Sequence, residues 1–256
     1  MLAAGPEDVL AGALDEATLL IAAHAHADLD VAAYVAKLDR LADGVPAADL
    51  DSLLDHLFGT EGFGGNTAAF DDPENSYLDA VIDRRLGIPI TLSVVLMEVA
   101  RRVGVTLAGV GMPNRFLVRH DGREGPIFID AFDGGARFDA DTCAKRFSTD
   151  IAPGAVFDPD YLQPIGCRTL LARVLGNLKA IQASRKNARD LAWVLRLRIA
   201  IPGVPLRERA ELAQALHATG RFLEAAEVLE DAADLGTSDG AERLRSRARL
   251  LRARLN

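Results

Sequence analysis

The segment from Pro89 to Val103 is apolar on nearly every side, with Leu92, Val95, Leu96 and Val99 falling on one helical stripe and Ile90, Val94, Met97 and Ala100 filling in around it. A helix without a polar face has no surface to offer water, so it belongs in the middle of a domain with the rest of the chain wrapped around it. It is not a membrane span. The longest apolar run, Leu86 to Val99, is too short to cross a bilayer and is interrupted by Pro89 and Glu98.

The flanking segments supply the wrapping. Upstream, Leu14, Leu19, Leu20 and Ile21, then Val31, Tyr34, Val35, Leu38 and Leu41, recur at helical spacing, with a start near Pro6-Glu7-Asp8 and a break at Asp28-Leu29-Asp30. Asp49 to Phe58 and Ser76 to Arg84 predict two further short helices. Between them, the glycine-rich loop from Gly59 to Asn66 lacks phosphate-loop spacing and reads as a turn that lets Phe63 tuck into the core. Downstream, Thr106–Val110, Arg115–His120 and Ile127–Phe132 predict strands, the last two joined by a hairpin turn over residues 121–125. The expected fold class is α+β with an antiparallel sheet.

After the Gly134-Gly135 turn, a short helix and the stretch from Pro153 to Pro164 read as a linker. From Arg168 onward the pattern is helical, broken at Asn187, at Pro202-Gly203-Val204-Pro205, at Gly220 and at Gly236. The expected domains are therefore 1–160 and an all-α region over 165–256. In the latter, Leu212, Ala213, Leu216, Gly220, Phe222, Ala225, Leu229 and Ala232 fall at the offsets of one tetratricopeptide unit, where small residues let two antiparallel helices approach.

Four motifs carry a family likeness: Asn75-Ser76-Tyr77-Leu78, Gly87-Ile88-Pro89-Ile90-Thr91-Leu92-Ser93, residues 111–119 with Pro113-Asn114-Arg115-Phe116, and residues 128–135 around Asp130. Together they resemble the transglutaminase-like proteins of the SirB-one regulator type, a papain-like cysteine-protease core followed by tetratricopeptide-like helices. The resemblance implies a Cys at the helix start, a His on the first strand and an Asp on the second. Here the corresponding residues are Pro89, Arg115 and Asp130, and the family's usual Pro-Gly-His-Phe reads Pro113-Asn114-Arg115-Phe116.

Acyl transfer through cysteine needs a thiolate and a base. Proline is neither, and a guanidinium does not deprotonate in proteins. Thr91 and Ser93 are the nearest hydroxyls, but each would need a base at the position held by Arg115. His120 lies five residues along the same strand, on the opposite face. His24 and His26 are two apart and diverge, while His56 and His217 have no visible partner. Cys143 and Cys167 read as small buried hydrophobes with neither disulfide nor zinc spacing. Asp130, on a strand with Phe128 and Phe132, would be costly to bury alone, and antiparallel pairing would bring Arg115 to it. Asn75, Tyr77, Arg85, Thr91 and Asp133 lie on the motif segments and are the expected lining of the residual cleft.

A net charge of −8 in 256 residues, 49% of them hydrophobic, argues for a globular protein without broad attraction to nucleic acid or anionic membranes. The arginine-dense helix from Arg243 to Arg254 is the exception, read as a solvated face. The start of the chain lacks a basic n-region, and with two unpaired cysteines a cytoplasmic location is expected. No cofactor or metal is expected. The favoured function is a non-catalytic interaction or regulatory factor that holds a protein or peptide. The alternatives are an enzyme with rewired amide or acyl chemistry, such as a hydrolase, ligase or natural-product tailoring protein, and a purely structural subunit.

Overall fold

A computed structural model describes residues 13–123, 125–151, 155–235 and 238–253. The helix start expected near Pro6-Glu7-Asp8, and Glu124, Pro153, Gly236 and Arg254, lie outside the described residues. The chain divides into two compact units, Met1–Val174 and Leu175–Asn256.

The first unit is organised around the apolar helix. Helices α1 (Leu14–Ala23), α2 (Val31–Asp43), α3 (Leu50–Leu54) and α4 (Leu78–Arg84) precede α5 (Pro89–Val103), whose side chains from Ile90 to Leu96 are all buried. Each fully buried leucine, such as Leu92 or Leu96, contributes about 1.5–3 kcal/mol of transfer free energy. The break between α1 and α2 ends at Asp30, whose carboxylate caps α2 by accepting from the Ala33 amide at 3.1 Å. After α3 the chain continues through a π-helical turn over Asp55–Thr60.

Charge is buried with the helix. Glu98 accepts from Arg101 Nη2 at 2.8 Å and from Arg102 Nη1 at 2.8 Å, while Arg102 also reaches Asp15 of α1 at 2.5 Å and Asp39 of α2 at 2.6 Å. Arg102 thereby ties three helices together at one point.

The sheet is antiparallel as expected, with strand order β3-β4-β5-β6: Ala108–Val110, Leu117–Gly122, Gly125–Asp130 and Ala136–Phe138. Val118 faces Ile129, and Gly122 faces Gly125 across the hairpin. The strand expected at Thr106 begins at Ala108, and the one expected at Arg115 begins at Leu117. Arg115 therefore stands in the turn before the strand. The fourth strand is too short to show alternation and was not expected from sequence. The same holds for a two-residue parallel pair, β1 (Gly64–Gly65) with β2 (Leu86–Gly87), which delivers the chain to Pro89.

Helix α6 (Ala140–Asp150) closes one side of the sheet, with Cys143 and Phe147 sharing a core with Val110, Met112, Leu117, Phe128 and Leu162. The stretch before Pro164 is no free linker. Ile165 donates its amide to the Gly109 carbonyl at 2.9 Å, and Pro164 bridges to Val110, so this segment covers part of the β3 edge.

The helix α7 (Cys167–Ser184) carries the division between the units. The second unit continues with α8 (Ala188–Ile199), α9 (Arg207–Ala218), α10 (Phe222–Leu235) and α11 (Ser238–Arg252). Leu212, Ala213, Leu216, Ala225 and Leu229 share one core with Leu195 and Ala248. Three arginines of α11 are engaged at the surface, Arg245 with Asp234, Arg249 with Glu242 and Arg252 with Glu230, at 2.9, 2.9 and 2.7 Å.

Candidate functional site

The N-terminus of α5 is built from the motif residues, and its polar groups are satisfied internally. Ile88, at the cap, has no side-chain acceptor, so Thr91 provides the cap bond in reverse: its Oγ1 accepts the Ile88 amide at 3.2 Å. The same hydroxyl donates to the Asn75 carbonyl at 2.6 Å. The Asn75 side chain is fully buried, donating to the Ala69 carbonyl at 2.7 Å and accepting from Asn66 Nδ2 at 3.0 Å. Ser93 donates to the Pro89 carbonyl at 2.7 Å. Both hydroxyls nearest the helix start thus serve backbone groups. Among the described residues, neither is bonded to a base.

Aromatic rings lie beside this helix start. The ring of Phe132 passes so close to Gly65 that a Cβ there would sit 2.6 Å from it, which explains glycine at that position. Phe70, half exposed, packs edge to face on Phe132 with centroids 5.8 Å apart.

At the strand ends, Asp130 is 4% exposed, and its Oδ1 accepts from the amides of Phe132 and Asp133 at 3.1 and 3.3 Å. Its Oδ2 takes Arg115 Nη1 at 3.1 Å, while Arg115 Nε turns to Asp150 at the end of α6. The guanidinium is clamped between two carboxylates, with Asp150 the stronger partner, and its pKa is raised. The carboxyl of Asp130 is also pushed upward, because burial outweighs the backbone bond from Asp133 and the charge of Arg115.

The loop that presents Arg115 is braced from α7. Arg173 Nη2 donates to the carbonyls of Met112 and Arg115 at 3.3 and 3.2 Å, and its guanidinium lies over the Phe116 ring at 5.6 Å. Burial lowers its pKa. Asn114 adopts φ +59°, a left-handed conformation that asparagine tolerates better than most residues. The sequence signal for this brace is Gly111, where any Cβ would meet Arg173 Nη1 at 2.5 Å.

The five residues expected to line a cleft divide. Asn75 and Thr91 meet by hydrogen bond, and Asp133 lies beside Asp130 through its amide. Arg85 instead binds Glu61 at 2.6 Å and lies over the Phe63 ring. Tyr77 packs its ring on His26, with centroids 5.0 Å apart. Of two cavities of the first unit, the one of about 420 Å³ is lined by Arg85 with Lys37, Glu61 and Asp83, the one of about 540 Å³ by none of the five, and neither includes Pro89, Arg115 or Asp130.

His26 is the residue sequence reasoning missed. Its Nδ1 lies 2.5 Å from Asp79 Oδ2, and its Nε2 lies 3.4 Å from Glu74. Burial works against its charge, but the Asp79 bond and the two acidic neighbours prevail and raise its pKa. The contact spans 53 residues of sequence, and nothing local to His26 announces it. Among the described residues, no group of three His, Cys, Asp or Glu could hold a metal ion, and no helix is long and apolar enough to cross a membrane.

Comparison with known proteins follows the same segments. The model of the transglutaminase-like superfamily matches residues 23–176. The chain belongs to that superfamily. A UPF0162 protein of Xylella fastidiosa is 39% identical over 163 residues, covering 60% of this chain and 57% of the relative. A UPF0162 protein of Vibrio cholerae is 28% identical over 157 residues, covering 61% and 58%. F-box only protein 21 of Homo sapiens is 30% identical over 140 residues, covering 52% of this chain and 21% of that protein. The chain thus spans under two thirds of the length of each of these relatives. No solved structure gives a significant match.

Proposed function

We propose that this transglutaminase-like protein is a non-catalytic member of the SirB-one type, a cytoplasmic interaction or regulatory factor whose C-terminal helices form a tetratricopeptide-like region. The observation that carries the reading is the Arg115 clamp. Where a catalytic relative would place an imidazole, this chain places a guanidinium bonded to Asp130 and Asp150, and Pro89 opens the helix where a thiol is needed. A cation fixed between two carboxylates takes no proton from a nucleophile.

The proposed ligand is a protein or peptide segment held beside the old helix start. Phe70 and Phe132 give that rim an aromatic pair of the kind that anchors interfaces, and Asn75 and Thr91 hold the backbone beneath it rigid. The test pairs two measurements on the purified chain. Peptide amide hydrolysis and transamidation should be undetectable, and a partner captured by the wild type should be lost with Phe70→Ser. Turnover abolished by substituting Asp130, or capture indifferent to Phe70, would overturn the reading.

A rewired amide or acyl hydrolase is the second reading, favoured by the His26–Asp79 pair, which has the form of a base and its orienting carboxylate. It predicts turnover that His26→Ala removes.

A further inference from the structure

The cavity of about 540 Å³ lies apart from the Arg115 clamp, entirely within the first unit. Its walls come from the C-terminal turn of α5, the run into β3, and the segment that leads into α7. Met97, Val105, Leu107, Ile165 and Leu170 make it mainly apolar. The volume falls inside the range of about 300–1,000 Å³ typical of small-molecule sites. Water alone is a poor filling for such walls, since each molecule needs two or more polar partners.

Two charged groups stand in this wall, Arg101, which is exposed, and Glu98, which is buried. Glu98 is 2% exposed, and its three guanidinium bonds, from Arg101 Nε and Nη2 and from Arg102 Nη1, all fall on Oε2. Among the described residues, none bonds Oε1. The surrounding charges leave an excess of acid: Asp15, Asp39 and Glu98 face Arg101 and Arg102, three carboxylates against two guanidinium groups. Burial raises the Glu98 pKa despite the Arg101 bond, and the charge of Asp15 pushes the same way. A buried carboxylate left in that condition is stabilised by one more positive donor. An anionic ligand would have to compete with Glu98 and Asp15 for Arg101.

We propose that this cavity binds a small amphiphilic amine, its apolar body against Leu107, Ile165 and Leu170 and its ammonium group hydrogen-bonded to Glu98. The site is independent of the Arg115 clamp, so it stands whether the clamp marks a pseudoenzyme or a rewired one. Thr106, exposed at the rim, marks the way in from solvent.

Three probes of matched size separate the terms: 3-phenylpropylamine, 3-phenylpropanol and 3-phenylpropionate, titrated into the full chain by calorimetry. The amine should bind about tenfold more tightly than the alcohol, the margin of a charge-assisted over a neutral hydrogen bond, and the carboxylate most weakly. Glu98→Gln should erase the preference for the amine over the alcohol while leaving the apolar contribution. Thr106→Trp, at an exposed position, should fill the mouth and abolish binding of all three without loss of melting temperature. Amide shifts at Leu107, Ala108 and Gly109 should follow the amine in the wild type, which locates the site even if Glu98→Gln fails to fold. Equal affinity for the three probes, no binding of the amine, or undiminished binding by Thr106→Trp would each overturn the proposal.

Discussion

Arg115 Nη1 stands 3.1 Å from Asp130 Oδ2, an ion pair that joins the turn before β4 to the end of β5. Asp130 keeps two backbone amide bonds when the guanidinium is removed. The cost of Arg115→Ala should therefore lie at the lower end for a buried pair, about 1–3 kcal/mol. Urea denaturation of the two proteins at neutral pH measures it, and coincident midpoints would mean that the pair contributes nothing. The pH dependence has a definite sign. The folded pKa of Asp130 is raised, so Asp130 favours folding below its unfolded pKa and loses that contribution as pH rises through the folded value. The Arg115→Ala deficit should be greatest above that value, where Asp130 is charged, and should narrow in acid.

His26 has the same sign of linkage as Asp130, but here the proton stabilises the fold by creating a charge between two carboxylates. Its folded pKa is raised by Asp79 and Glu74, so the stability it contributes is fully present below the unfolded value of about 6.5 and is lost as pH rises through the folded pKa. His26→Gln should lower the melting temperature more at pH 6 than at pH 9. A deficit independent of pH would show that the Tyr77 contact, and not the charge, is what His26 supplies.

Thr91→Val keeps the shape of the side chain and deletes its hydroxyl. The Asn75 carbonyl and the Ile88 amide both lose a partner, at a cost of about 1–3 kcal/mol for buried groups left unsatisfied. Thr91→Ser should recover most of the loss. Equal destabilisation by both variants would locate the effect in the methyl packing instead.

Cys143 is 1% exposed, and burial pushes its thiol up to about 11. It should resist iodoacetamide in the folded state and react once denatured. Rapid labelling of the native protein at Cys143, read by mass spectrometry, would contradict this.

The order of elements in the first unit was legible because each is written locally. The all-round apolar pattern of Pro89–Val103 forces burial wherever it occurs, and the observed helix has those bounds. The hairpin follows from the Gly122 and Gly125 punctuation, and the breaks at Asn187, at Pro202-Gly203-Val204-Pro205 and at Gly220 fall between the C-terminal helices. Strands such as β1 and β6 have too few residues for a period to register, so they appear only when a partner strand is in place.

The residues of the family motifs could be read from sequence, but Arg115 stands outside the β4–β5 ladder, in which Val118 faces Ile129, and its long side chain reaches Asp130 from the turn before β4. What Arg115 does there was decided by elements distant in the chain: Asp150 supplies its stronger bond, and Arg173 fixes its loop by two carbonyls. The same holds for Arg85, drawn away to Glu61, and for His26, which reaches Asp79 across 53 residues. Sequence determines which faces must be buried, because burial depends on local periodicity. Only the tertiary structure determines which charges meet, because a guanidinium takes whichever carboxylate the packed helices bring within about 3 Å.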